Sequence, residues 1–192
     1  LGNGKRTAVL AGGTDIIVQL REGRKSADQV LDIKHIPELM SHGFAADGTL
    51  ELGAATPCAV IYEDAEIQRR LPGLIDSASL IGGIQIQGRA SLGGNICNAG
   101  PAGDSAPTLI ALGATLRIGS KDGTRDIPVE QFFTGPGRNS LAPGELLLQI
   151  RIPPQPANSN AAFLRFIPRN EMDIAVCSAG VRFSLNASGL IE

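Results

Sequence analysis

Thr7-Ala8-Val9-Leu10-Ala11-Gly12-Gly13-Thr14-Asp15-Ile16-Ile17-Val18-Gln19-Leu20-Arg21 reads as strand, glycine turn and helix in direct succession. The apolar run from Thr7 to Leu10 suits a buried strand, and Gly12-Gly13 breaks it. Apolar residues return at helical spacing from Ile16 to Arg21, with Thr14 or Asp15 placed to cap the helix. Gln29 to Ile33 is a second strand candidate, so the start of the chain predicts a βαβ-like unit. Consecutive peptide N–H groups in such a turn form a concave nest for anions. Gly12 and Gly13 carry no Cβ to keep a pyrophosphate away, Thr14 adds a hydroxyl, and Asp15 can accept from sugar hydroxyls. A plain strand-to-helix connection remains open on these residues alone. Neither Gly-x-x-x-x-Gly-Lys-Ser/Thr nor Gly-x-Gly-x-x-Gly occurs here, which disfavours a P-loop or a Rossmann dinucleotide domain.

Outward from this unit, Ile36-Pro37-Glu38-Leu39 predicts a short helical turn, and Thr49 to Ala54 alternates as a strand leaving Asp47-Gly48. Pro57 to Glu63 and Ile67 to Ser79 read as helices, the second broken near Pro72-Gly73. From Gly82 to Gly103 the chain is too rich in glycine for a good core or strand, and it reads as backbone wrapped closely around a ligand. Ala106 to Leu112 predicts a helix starting near Pro107. Ala114 to Ser120 and Arg125 to Pro128 form a hairpin around Asp122-Gly123. Leu146 to Ile152 is a strand ended by Pro153-Pro154. Pro153 to Asn160 is a linker candidate, and Ala162 to Ile167 and Ile174 to Leu185 alternate like strands beyond it. The class is α+β.

Composition narrows the chemistry. A net charge of −2 without basic runs argues against nucleic-acid binding, and 4% aromatic content without Trp leaves few stacking platforms. Cys58, Cys97 and Cys177 are scattered and His35 and His42 sit in no motif, so neither a zinc site nor a disulfide framework is expected. No apolar stretch is long enough to span a membrane, and the chain reads as soluble and cytoplasmic. Glu63-Asp64 and Glu66 lack metal-ligand spacing and read as a solvated helix face. Asp104, just before Ser105-Ala106-Pro107, is either a helix cap or an acceptor for ribityl or ribose hydroxyls. Arg165 and Arg169 are either surface charges or holders of a phosphate or carboxylate. No catalytic nucleophile is visible, so any chemistry must come from a cofactor. The start at Leu1 and the stop soon after a turn-like Asn186-Ala187-Ser188-Gly189 suggest a piece of a longer polypeptide.

The order of motifs resembles one family. Ala11-Gly12-Gly13-Thr14-Asp15 is followed by Asp32-Ile33 with Ile36 to Leu39, then by Leu52-Gly53-Ala54-Ala55-Thr56. Gly93-Gly94-Asn95-Ile96 and Pro101-Ala102-Gly103-Asp104-Ser105-Ala106-Pro107 come next. Phe132-Phe133-Thr134-Gly135-Pro136, Gly144-Glu145-Leu146-Leu147 and Met172-Asp173-Ile174-Ala175 complete the series. Over nearly the whole chain this resembles the FAD-binding (medium) subunit or domain of molybdenum hydroxylases, the xanthine dehydrogenase and aerobic carbon monoxide dehydrogenase group.

The resemblance implies a two-lobed FAD-binding fold of the vanillyl-alcohol-oxidase (PCMH) type, a small βαβ lobe beside a larger lobe of antiparallel sheet with helices. Residues 1–54 would form the small lobe, 55–154 the larger one, and 155–192 the start of a C-terminal domain. It implies FAD contacts from Leu10, Ala11, Gly12, Gly13, Thr14, Asp15 and Ile16 around the diphosphate, and from Ile81 and Gly82 near the flavin. Ile86, Ala90, Ser91, Gly93, Gly94, Asn95, Cys97 and Asn98 fall on the FAD-contacting loop, Gly103 and Asp104 on its end, and Leu147 and Arg165 on more distant contact positions. Ser91 stands for a usual Thr, Gly100 for a Ser, Arg165 for a Lys, and Ile81 for an aromatic residue of xanthine dehydrogenase. The implied function is an oxidoreductase component relaying electrons from iron–sulfur clusters through FAD to an external acceptor such as NAD⁺, a quinone or oxygen. Molybdopterin and [2Fe–2S] clusters would sit on a large molybdenum subunit and a small iron–sulfur subunit. A stand-alone flavin oxidoreductase of the same fold and a scaffold without FAD are the alternatives.

Overall fold

The computed structural model of the chain describes residues 1, 3–169 and 172–191. The opening unit is as the pattern predicts. Strand β1 (Thr7–Leu10), helix α1 (Ile16–Arg21) and strand β2 (Gln29–Asp32) form a parallel βαβ unit, Thr7 opposite Gln29 and Leu10 opposite Asp32. Helix α2 (Pro37–Met40) follows, and Ile33, Leu39 and Ala55 bury a small core with Val9 and Leu31 packed on it. Asp15 occupies the N-cap of α1, but its side chain makes no capping hydrogen bond. Its carboxylate is left exposed beside the glycine turn.

The larger unit is built on a five-stranded antiparallel sheet. Strands β3 (His42–Phe44), β4 (Leu50–Gly53), β5 (Thr115–Ser120), β6 (Gly123–Pro128) and β9 (Leu146–Ile152) are ordered β3-β4-β9-β5-β6. Alternation explains its two faces. Leu116, Ile118, Ile150 and Ile152 are buried in the main core, whereas Arg117 faces out and pairs with Asp126 at 2.9 Å. Between Arg117 and Ile118 the register slips, leaving Leu148 of β9 unmatched. Strands β7 (Phe133–Gly135) and β8 (Arg138–Asn139) form a separate small ribbon.

Helices α3 (Cys58–Glu63), α4 (Ala65–Arg70), α5 (Pro72–Ala78), α6 (Ile84–Gln87), α7 (Leu92–Asn98) and α8 (Ser105–Ala111) occupy the interval between β4 and β5. Ile61, Ile67, Leu74, Leu92, Ile96 and Leu109 from these helices are buried in one cluster with the sheet. Asp64 lies at the start of α4 and accepts from the N–H groups of Glu66 and Ile67, each at 2.9 Å, so it caps a helix.

The glycine-rich stretch departs from the sequence expectation. Gly93 and Gly94 lie inside helix α7, where each glycine costs about 1 kcal/mol relative to alanine. Tertiary contact overrides that propensity. The Ser91 hydroxyl caps the helix by accepting from Gly94 N–H at 3.0 Å, and a Cβ on Gly93 would run into the Ala54 carbonyl.

After Ile152, residues 153–158 lead into strands β10 (Ser159–Phe166) and β11 (Cys177–Ser184), an antiparallel pair. This pair lies directly on α5 and α8. A Cβ at Gly73 would stand 2.7 Å from the Ala161 carbonyl carbon, and one at Gly180 would stand 2.6 Å from that of Pro107. Both obstacles are backbone and cannot rotate away. Gly180→Val should therefore lower stability by roughly 2 kcal/mol through overpacking, read as an earlier midpoint in urea. An unchanged midpoint would show that the hairpin is not held this closely.

Candidate functional site

A cleft opens where the βαβ unit meets the larger sheet, and two chain segments about 80 residues apart line it. Ala11, Gly12, Gly13, Thr14, Asp15 and Ile16 line it from the first segment. Ile81, Ala90, Ser91, Gly93, Gly94, Asn95, Cys97 and Asn98 line it from the second, and Leu147 from β9. These are residues that the motif resemblance implies as cofactor contacts. Leu10, Gly82, Ile86, Gly103, Asp104 and Arg165, implied in the same way, are not part of the lining. Leu10 ends β1 and its carbonyl accepts from Ile33 N–H at 3.0 Å. Gly82 has φ +62°, and the Ile86 side chain fills the space that a Cβ there would need. Gly103 closes a turn by donating to the Gly100 carbonyl at 2.9 Å.

Asp104 and Arg165 find each other. Arg165 Nη1 donates to Asp104 Oδ2 at 2.9 Å, with side chains 7% and 11% exposed respectively. Burial pushes the Asp104 carboxyl up, against the opposing pull of the Arg165 guanidinium. Asp104 Oδ1 and Arg165 Nε have no hydrogen-bond partner among the described residues. The pair ties β10 to the start of α8, so the helix-cap reading of Asp104 gives way to an ion pair.

Several cleft residues lie outside the sequence expectation: Val9, Gln19, Lys25, Ile33, Ala54, Leu141, Glu145 and Leu146. Glu145 forms the rigid part of this rim. Arg125 donates to both its carboxylate oxygens at 2.7 and 2.8 Å, and Ala142 N–H adds a bond of 2.8 Å. Those donors hold the Glu145 carboxyl down to about 2. The motif containing Glu145 was visible, but only the geometry shows that the side chain is spent on the loop before β9. Gln19 donates to Asn98 Oδ1 at 3.0 Å, joining α1 to α7, while its own Oε1 is buried without a partner among the described residues.

The glycines act differently from the simplest reading of their sequence. Gly12 lies against the main chain of the second segment, where a Cβ would collide with the Arg89 carbonyl. Arg89 Nε in turn donates to the Gly12 carbonyl at 2.9 Å. Thus Gly12 and Gly93 are required by chain packed on chain, not only by a ligand approaching the turn. The N–H groups of Gly12, Gly13 and Thr14 make no hydrogen bond within the described residues. Gly13 holds φ +83°, a conformation that suits glycine. Three consecutive free donors at a cleft wall are the nest that a diphosphate needs. Val9, Ile16, Ile33, Ile81, Leu141, Leu146 and Leu147 give the cleft aliphatic walls, Asp15, Gln19, Lys25, Asn95 and Asn98 add polar groups, and no aromatic ring is among its described lining residues.

Residues 1–155 match the family model described as the FAD binding domain in molybdopterin dehydrogenase. The chain belongs to that family. Among its relatives is the xanthine dehydrogenase FAD-binding subunit of Escherichia coli O157:H7, 38% identical over 185 residues, which are 95% of this chain and 63% of that protein. The nicotinate dehydrogenase FAD-subunit of Eubacterium barkeri is 30% identical over 186 residues, covering 95% of this chain and 62% of that one. The fold is that of the carbon monoxide dehydrogenase from Hydrogenophaga pseudoflava, with a TM-score of 0.90 at 27% identity, 97% of this chain and 64% of the other. The chain thus spans less than two thirds of the length of these relatives. Family membership makes FAD the cofactor, and the fold is the two-lobed FAD-binding one. The free N–H groups of Gly12 to Thr14, the cleft walls drawn from both chain segments and the orphaned Gln19 acceptor all fit a flavin dinucleotide.

Two outcomes follow from this geometry. Arg89→Ala should weaken FAD binding by about fivefold, the loss of one hydrogen bond at the nest, in a flavin-fluorescence titration. Unchanged affinity would mean that Gly12 is held without it. Burial pushes the Cys58 and Cys97 thiols up to about 12, whereas Cys177 is exposed. A thiol reagent at pH 8 should therefore modify Cys177 in the native chain, and Cys58 and Cys97 only after denaturation.

Proposed function

We propose that the chain is the flavin-carrying electron relay of a molybdenum hydroxylase. The observation that carries this reading is the run of free peptide N–H groups at Gly12, Gly13 and Thr14 set against aliphatic cleft walls, a setting for a bound dinucleotide. Bound FAD supplies the redox chemistry there, taking up and releasing electrons singly or in pairs. The chain's own part is to hold it. Gly12, Gly13 and Thr14 would hold the diphosphate through their N–H groups, and Ile81 and Leu147 would exclude water from the flavin. Ala11, Asp15, Ile16, Ala90, Ser91, Gly93, Gly94, Asn95, Cys97 and Asn98 would contact FAD around these two anchor points, and Asp104 and Arg165 would brace the start of α8 against β10 through their ion pair.

The partners belong to the same proposal. A small subunit with [2Fe–2S] clusters would deliver electrons that a large molybdenum-cofactor subunit takes from substrate, and NAD⁺, a quinone or oxygen would accept them. The assembly would work in the cytoplasm; no described helix is long and apolar enough to cross a membrane. Within the chain, residues 1–54 and 55–154 would be the two FAD-binding lobes, and 155–192 the opening of a further domain. Leu164, Phe166 and Val181 on the outer side of β10–β11 are exposed, as the first layer of such a domain would be before its partner strands are added.

Incubation with FAD followed by gel filtration tests the binding half of the proposal. The wild-type chain should elute with about one equivalent of flavin, and Gly94→Val, which places a branched side chain beside the Ser91 cap, should elute without it. Affinity purification of the tagged chain from its source tests the relay half. Co-purifying molybdenum and iron support it, and a chain that brings down neither metal counts against it.

A further inference from the structure

The cleft must accept two phosphate charges, yet it offers little positive charge. Asp15, Lys25, Glu145 and Cys97 are the ionisable side chains among its described lining residues, and Lys25 is the one base. Glu145 is committed to Arg125. Asp15 forms no ion pair among the described residues, so it adds an uncompensated negative charge beside the nest. Arg89 approaches Gly12 but points its Nε at a carbonyl, and it is not part of the lining.

The chain places Lys25 by a specific device. Helix α1 ends at Arg21, and Gly23 takes φ +70°, reversing the chain. The Lys25 N–H then donates to the Gln19 carbonyl at 3.1 Å. Gln19 is the residue whose side chain is tied to Asn98 across the cleft. The neighbouring Arg24 is occupied by Glu22 at 2.7 Å. Of the two adjacent cations on this turn, one is therefore neutralised locally and the other is brought to the cleft wall.

We propose that Lys25 is a specificity-determining residue of the cofactor site, its ammonium pairing with the diphosphate of the dinucleotide. The inference rests on FAD occupying this cleft. The physical need for it is plain: neutral N–H groups solvate a diphosphate but do not neutralise it, and Asp15 repels it. A mobile, hydrated ammonium on a flexible stem suits a point-charge contact of this kind. It also confers selectivity for the phosphate-bearing flavin over riboflavin, which has no charge to offer.

The test is a fluorescence titration of the 192-residue chain with FAD and with riboflavin, at several KCl concentrations. Lys25→Gln should weaken FAD binding by roughly 3- to 10-fold at low salt, with a smaller difference at high salt as screening removes the attraction. Riboflavin affinity should not change, and Lys25→Arg should keep the wild-type salt dependence. The residue is exposed, so these variants should fold, and circular dichroism checks that they do. A wild-type chain that binds FAD, with an affinity and salt dependence indifferent to Lys25→Gln, overturns this assignment alone. Equal weakening of FAD and riboflavin overturns it as well, since that marks a structural effect. A wild-type chain that retains no FAD at any salt concentration overturns the cofactor reading and this assignment together.

Discussion

Two contacts made by the absence of a side chain hold the site together. Gly12 rests on the Arg89 carbonyl and Gly93 on the Ala54 carbonyl, so main chain meets main chain at two points in the middle of the second segment. Close packing of peptide groups leaves no room for adjustment, because backbone cannot rotate aside as a side chain can. The nest at Gly12–Thr14, the start of α7 and the end of β4 are thereby brought into one fixed arrangement. Everything else at the cleft refines it. Arg89 tightens the nest from behind, Gln19 links α1 to α7, and the Arg125–Glu145 clamp holds the rim.

Much of this architecture was legible in the sequence. The β1–turn–α1 unit, the hairpin of β5 and β6, and β9 were readable because periodicity and turn residues agreed there. The segment from Gly82 to Gly103 was not, since its glycines signal loop while its environment imposes two helices. Strand β3 escaped notice because His42-Gly43-Phe44 is too short to show alternation. It exists because β4 offers it an edge. The motif order identified the family, which composition and spacing alone could not have done.

The site was legible to a similar depth. Most residues of the glycine motifs line the cleft, whereas Lys25, Gln19 and Arg89 gave no sign of their roles, even where they lie beside those motifs. Their roles come from chain reversals and from contacts some 80 positions apart, to which a local pattern is blind. Asp104 and Arg165 illustrate the complementary difficulty. Asp104 reads from the sequence as a cap or a hydroxyl acceptor and Arg165 as a surface or anion-holding charge, and in the fold the two pair with each other.

Strand β4 pairs with β9, Glu51 opposite Arg151, and so joins residues 100 positions apart in the chain. On a ribosome, β4 emerges well before the strand that completes its sheet. The wall of the cleft carrying Leu146 and Leu147 cannot exist until that late strand arrives. Closing so long a loop is slow, and it exposes the apolar face of β4 in the meantime. Flavin therefore has no finished pocket to enter until β9 has been made and paired with β4.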